Sequence, residues 1–272
     1  MKTSKFNIVK ISTLLLAVMF FVSCGNRQAK EAENSSVTPK EEAFKSVTKY
    51  PIPTAFEVIK LLNNAGATYI LSISNPIENV DKYIPAKSKA LNLGVYGADL
   101  SYASTYQMKQ ETMNYLKVSK KLIDELQITS AFNVEFAQRV EKNIDNKDSL
   151  IRIISDSFYD TYEFLVNNGK DNTSLLVMAG SWIEGLYITT QMAIISKNNE
   201  DILKIVANQK EPLTKLLSLL EPYKTDKDVA EIAEVLKPLA DIYNTIGIDK
   251  LTPEQFEQIN KAVAQVRGTI VQ

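Results

Sequence analysis

Beyond residue 50, apolar residues return at intervals of three and four for most of the chain, which is the period of an amphipathic helix rather than the alternation of a half-buried strand. After Pro51 and Pro53, the run Thr54-Ala55-Phe56-Glu57 has capping-box form, with Thr54 as N-cap and Glu57 as its partner, and Gly66 stands where that helix should end. Residues 67–76 carry no clear period. Tyr69-Ile70-Leu71-Ser72-Ile73 reads equally as a short strand or a buried helical turn, Pro76 interrupts it, and no second strand candidate is there to pair with it. Met113, Leu116, Ile123 and Leu126 then share one helical face, with Lys117, Lys120, Lys121 and Asp124 largely opposite. Ile151, Ile154, Phe158, Tyr162 and Leu165 form another stripe, read as core, which Asn167-Asn168-Gly169 closes.

The pattern continues with Ile202, Ile205, Val206, Leu213, Leu216, Leu217 and Leu220, then with Val229, Ile232, Leu236, Leu239 and Tyr243; Pro212 and Pro238 should kink or divide these helices. Thr252-Pro253-Glu254-Gln255 combines an N-cap threonine, a proline at the first helical position and a glutamine at the third. Phe256, Ile259, Val263 and Val266 face inward from the helix so begun, and Gly268 is expected to stop it. The expectation is an all-α domain over residues 51–272, a bundle or irregular array of about eight to ten helices. A tetratricopeptide repeat does not fit, because no period near 34 residues recurs.

Two segments depart from amphipathicity. Between Lys89 and Lys109 the only charged residue is Asp99, and between Asp171 and Lys197 it is Glu184. A helix without a charged face is buried in protein or in lipid. The second segment is long enough to raise a membrane span, but Glu184, Thr189, Thr190 and Gln191 make that costly. Small residues such as Gly94, Gly97, Gly180 and Gly185 allow close helix approach, so the two segments should form the centre of the domain. Aligned on their acids they read Asp99-x-x-Tyr102-x-x-Thr105 and Glu184-x-x-Tyr187-x-x-Thr190, one stripe in each and 85 residues apart, which raises an internal duplication. A carboxylate inside a buried helix must be paired, hydrogen-bonded, protonated or open to a cavity. Either each acid is satisfied by a lysine, a tyrosine, a hydroxyl or a helix start, or Asp99 and Glu184 converge with Tyr96, Tyr102, Trp182 and Tyr187 on an acidic, aromatic pocket suited to an amine or other cation.

Composition removes several chemistries. There is no histidine, and Cys24 is the one cysteine, so serine–histidine and cysteine–histidine catalysis, histidine-ligated metals and structural disulfides are excluded from the domain. A net charge of -1 gives no broad basic field for nucleic acid. Arginine occurs only at Arg27, Arg139, Arg152 and Arg267. Asp145-Asn146-Lys147-Asp148 lacks the glycine and ligand pattern of a calcium loop and reads as a turn and helix start, and Ser46-Val47-Thr48-Lys49 lacks the companions of the acyl-enzyme motif it matches. No phosphate loop, dinucleotide fingerprint or nucleophile elbow occurs, and no cofactor or metal is implied.

At the N-terminus, Lys2, Lys5 and Lys10 precede an apolar stretch from Ile11 to Val22, which has the length of a signal h-region and is short for a bilayer span. It ends in Phe21-Val22-Ser23-Cys24, which resembles the lipobox of bacterial lipoproteins, here of the Bacteroidota type, with Phe21 in place of the usual leucine. The resemblance implies that residues 1–23 are cleaved and that Cys24 is lipidated and anchors the chain to a lipid bilayer. Gly25 in place of an aspartate favours the outer membrane, and the absence of an acidic cluster directly after Cys24 favours the periplasmic face. Residues 24–50 have the composition of a solvated tether.

Three function classes follow. The first is a tethered, non-catalytic module that binds a protein partner or supports an envelope assembly. The second is a small-molecule binder using the acidic and aromatic centre. The third is a carboxylate enzyme, which would need Asp99 and Glu184 close together in an open cleft.

Overall fold

The computed structural model describes residues 55–128, 134–197, 199–247 and 251–272. The signal, the lipobox, Cys24, the tether and the cap expected at Thr54 lie outside them. The described residues form ten α-helices and no strand. They are α1 (Ala55–Asn64), α2 (Ala86–Thr105), α3 (Lys109–Glu125), α4 (Val134–Lys142), α5 (Lys147–Asn167), α6 (Asp171–Ile195), α7 (Glu200–Ala207), α8 (Lys210–Leu220), α9 (Lys227–Asn244) and α10 (Pro253–Val271). Among them no helix is long and apolar enough to cross a membrane.

The two uncharged segments are α2 and α6, and they form the centre. Every residue of α2 from Ala90 to Thr105 is buried, and α6 is buried from Ser174 to Ala193 except at Tyr187 and Gln191. Glycine makes their contact possible. A Cβ on Gly94 would lie 2.0 Å from the Val177 carbonyl oxygen, and one on Gly180 would lie 1.9 Å from that of Leu91, so the two backbones touch with no side chain between them. Because Leu91 meets Gly180 and Tyr102 meets Met192, the two helices run in the same direction. Helices α1, α3, α5 and α10 pack around this pair. Helix α10 runs antiparallel to α6, with Gln191 bonded to Asn260 near its middle and Glu184 to Arg267 near its end.

Local signals explain most boundaries. Gly66 adopts a positive φ of 79° after α1, a conformation glycine enters without a Cβ penalty. The Asn146 side chain accepts from Ser149 N–H and starts α5 as a turn and cap, not as a calcium loop. Thr252 and Gln255 form the expected capping box of α10, with Pro253 at the first position. Pro212 sits in the first turn of α8, so the division between α7 and α8 falls just before it, whereas Pro238 is accommodated inside α9. One stop signal is overridden. Helix α10 continues through Gly268 to Val271, because Ile270 is buried and the carbonyls of Ile270 and Val271 accept from Asn92 and Tyr83. Tertiary contacts here outweigh the roughly 1 kcal/mol by which glycine weakens a helix.

Residues 67–85 form neither a strand nor an α-helix but a strap along α2, with short 3₁₀ helices at Leu71–Ile73 and Ile77–Lys82. The ambiguity at Tyr69–Ile73 thus resolves to a single turn, in keeping with the lack of any strand to pair with it. The strap buries few apolar side chains, chiefly Ile73, Val80 and Tyr83. Its second turn is tied to α3 by the ion pair of Asp81 with Lys121.

Candidate functional site

Asp99 in the middle of α2 and Glu184 in the middle of α6 come together, and both are 0% exposed. Glu184 lies within hydrogen-bonding reach of Asp99. The partner that closes the site is Arg267 of α10. Its Nε donates to Glu184 Oε2 at 2.6 Å and its Nη2 to Oε1 at 2.9 Å, a bidentate pair with the planar geometry that suits guanidinium to carboxylate. The same Nη2 donates to the Ile73 carbonyl of the strap at 3.2 Å, and the guanidinium carbon stands 4.2 Å from the centre of the Tyr187 ring, in cation–π range.

The protonation state follows from charge balance. Burial pushes the Asp99 carboxyl well above its ordinary value, and the charge of Glu184 pushes the same way; Arg267 and the backbone N–H of Asn75 act against them. Burial also raises Glu184, opposed by the charge and hydrogen bonds of Arg267. Two acids and one guanidinium are neutral together only if the acids hold one proton between them. That proton belongs to Asp99, because Glu184 has both oxygens engaged by Arg267 while Asp99 Oδ1 meets no hydrogen-bond donor. A protonated Asp99 is then a donor toward Glu184. Arg267 itself would be lowered by burial, but the charge and hydrogen bonds of Glu184 outweigh that and hold it in the cationic form.

The polar side chains around the acids hold the strap. Asp99 Oδ2 accepts from Asn75 N–H at 3.1 Å, Tyr96 donates to the Pro76 carbonyl at 2.9 Å, and the Tyr102 hydroxyl accepts from Ile70 N–H at 2.9 Å and donates to the Thr68 carbonyl at 3.1 Å. Asn75 donates from its side chain to the Tyr83 hydroxyl at 2.9 Å. A segment without regular structure must find partners for its buried backbone groups, and here side chains of α2 and α10 supply them.

Of the residues expected at a pocket, Asp99, Glu184, Tyr96, Tyr102 and Tyr187 therefore do gather, but with separate tasks. Tyr96 and Tyr102 fasten the strap, while Tyr187 carries the guanidinium. The two stripes meet at their acids and diverge at their tyrosines. Trp182 is not part of the group: two residues from Glu184 it points about 200° around α6, and it is buried in the core with its indole N–H unpartnered. Sequence reasoning missed Arg267. The available signal was its place one residue after Val266 and four after Val263 on an inward-facing stripe, in a chain that uses arginine sparingly.

Among the described residues no group of three or more acids, histidines or cysteines is placed to hold a metal ion. A groove of about 330 Å³ between α8 and α9 is lined by Lys210, Leu213, Leu217, Glu221, Ala240 and Tyr243, and it includes neither acid. No protein-family model, no curated protein and no solved structure matches this chain.

Proposed function

We propose that this chain is a lipid-anchored lipoprotein of the cell envelope, held to the outer membrane through acylated Cys24 and facing the periplasm, whose helical domain works without catalysis by binding a protein partner or supporting an envelope assembly. The observation that carries the non-catalytic half is the pairing of Arg267 with Glu184: the cation for which the acidic and aromatic centre is suited is supplied by the chain's own last helix. An acid engaged on both oxygens and shut off from solvent is poorly placed to abstract a proton from, or attack, a substrate. The anchored half is supported by the lipobox and the export signal before it.

Two measurements test it. Metabolic labelling with a fatty-acid analogue should mark the wild type and not Cys24→Ala, and the variant should leave the membrane fraction; unchanged membrane association would remove the anchor. Cross-linking in intact cells should give discrete adducts with the wild type that survive Asp99→Asn. Absence of any adduct would count against a partner-binding module.

A further inference from the structure

Among the described residues five large apolar side chains stand exposed, and four of them, Leu61, Leu71, Ile194 and Ile195, lie at one end of the domain. Exposed leucines scattered singly are ordinary, but a group confined to one end marks a contact surface. The grouping follows from the fold. The Tyr102 hydroxyl, near the end of α2, meets Met192 Sδ near the end of α6 at 3.6 Å, together with the Thr68 carbonyl and the Ile70 N–H of the strap. Ile195 stands one turn beyond Met192, and Leu71 directly follows Ile70. Helix α1 ends here as well, since Asn63 stands beside Tyr106 and accepts from Lys147 at 3.0 Å.

The three segments that build this end are also free of charge: none of residues 61–77, 100–108 and 185–196 is acidic or basic. At the end itself the first charges beyond them are lysines, Lys60, Lys109 and Lys197. Beneath the aliphatic tips Tyr69, Tyr102 and Tyr106 pack together, with ring centres 4.6, 5.1 and 6.1 Å apart. Neither arginine nor tryptophan, the usual anchors of a protein interface, occurs in these segments. Aliphatic tips, uncharged polar groups, tyrosines and bordering lysines instead make up a surface that enters the headgroup layer of a bilayer. We propose that this end of the domain, centred on Leu71, Ile194 and Ile195, rests on the membrane surface and inserts those side chains among the lipid headgroups.

This placement rests on the lipid anchor proposed above, which brings the bilayer to the domain. Ala55, where the helices begin, packs against Gly185, about 15 Å along α6 from Ile195. The roughly 30 residues between Cys24 and Ala55 span up to about 100 Å when extended, so the tether permits the orientation and the apolar end selects it. Four aliphatic tips are too few to hold a free domain on a membrane. An anchored domain meets lipid at an effective concentration on the order of millimolar, where a weak contact is occupied. The opposite end, where Asn172 at the start of α6 meets Asp226 and Lys87 pairs with Glu231, then faces away from the membrane and is open to a partner.

The test couples the full, unacylated chain through the thiol of Cys24, its one cysteine, to a maleimide-bearing lipid in vesicles of phosphatidylethanolamine with a minority of phosphatidylglycerol. The domain is then tethered whether or not a cell acylates that residue, so failure of the anchor shows in the fatty-acid labelling and failure of the membrane contact shows here. Hydrogen exchange of the tethered chain is compared with that of the same chain free in solution. Tethering should slow exchange at residues 68–72 at least about threefold and leave residues 223–226, at the opposite end, unchanged. Leu71 and Ile195 are 53% and 48% exposed, so the double variant Leu71→Ser, Ile195→Asn should keep the wild-type Tm and lose most of the protection. No slowing at residues 68–72, equal slowing at residues 223–226, or protection that survives the double variant overturns the proposal. So does protection that appears in the free chain as its concentration is raised without vesicles, which would assign the surface to a second copy.

Discussion

Replacing Glu184 by glutamine is the perturbation with the largest expected effect for the smallest change of shape. The amide has nearly the volume of the carboxylate, so packing in α6 is kept and only the charge is lost. What remains is the Arg267 guanidinium, 12% exposed, facing an amide that offers one acceptor where there were two. Its other contacts, the Ile73 carbonyl and the Tyr187 ring, do not replace a negative charge, and Asp99, which would have to give up its proton to balance Arg267, would then carry a fully buried charge without the bidentate guanidinium contact that Glu184 has. Breaking a buried pair by neutralising one partner typically costs about 3–5 kcal/mol, because the other charge stays buried without compensation. For a domain of this size each kcal/mol lowers Tm by about 2–4 °C, so the variant should melt roughly 6–20 °C below the wild type. The strap should loosen with it, since Arg267 also holds Ile73. Thermal melts of both full-length proteins, with hydrogen exchange at residues 70–75 as a second readout, decide the matter. A Tm within about 2 °C of the wild type would refute the dependence of Arg267 on Glu184.

Three further outcomes are expected. Asp99→Asn should be tolerated, because its amide accepts from Asn75 and donates to Glu184 in place of the proton. As the folded Asp99 is held above its ordinary value, its contribution is complete below the ordinary carboxylate range and is lost as pH rises through the elevated value, so the Tm advantage of Asp99→Asn over the wild type should widen with increasing pH. Gly180→Ala should destabilise by about 3 kcal/mol or more, as its Cβ would meet the Leu91 carbonyl at 1.9 Å, and a urea midpoint unchanged from the wild type would contradict the backbone contact of α2 and α6. Gln127→Gly should stabilise by about 0.5–1 kcal/mol, since Gln127 ends α3 at a φ of 57°, and a lower urea midpoint would count against strain there.

Much of the fold was legible because its signals are local. The stripe of Ile154, Phe158, Tyr162 and Leu165, the cap at Thr252 and the stop at Gly66 each depend on residues within a turn or two. The buried centre was legible through the absence of charge, which is how Asp99 and Glu184 could be singled out together. What lay beyond reach was long-range. The continuation of α10 through Gly268 depends on Asn92 and Tyr83, and the shape of the strap depends on tyrosines some 20 to 34 positions away along the chain. Arg267 is 83 residues from Glu184, and a lone arginine beside an apolar stripe looks like a solvated side chain until its partner is known. Trp182 was included because it is close in sequence and aromatic, though a two-residue step on a helix changes faces.

The central claim, that Arg267 is the internal counter-ion of the two acids, is tested most directly by a double-mutant cycle between Glu184→Gln and Arg267→Gln, read as unfolding free energy in urea. If the pair is coupled as described, each single variant leaves an orphaned group that the double variant does not, and the two effects should fall short of additivity by about 2–3 kcal/mol. Additivity to within about 0.5 kcal/mol would contradict the account.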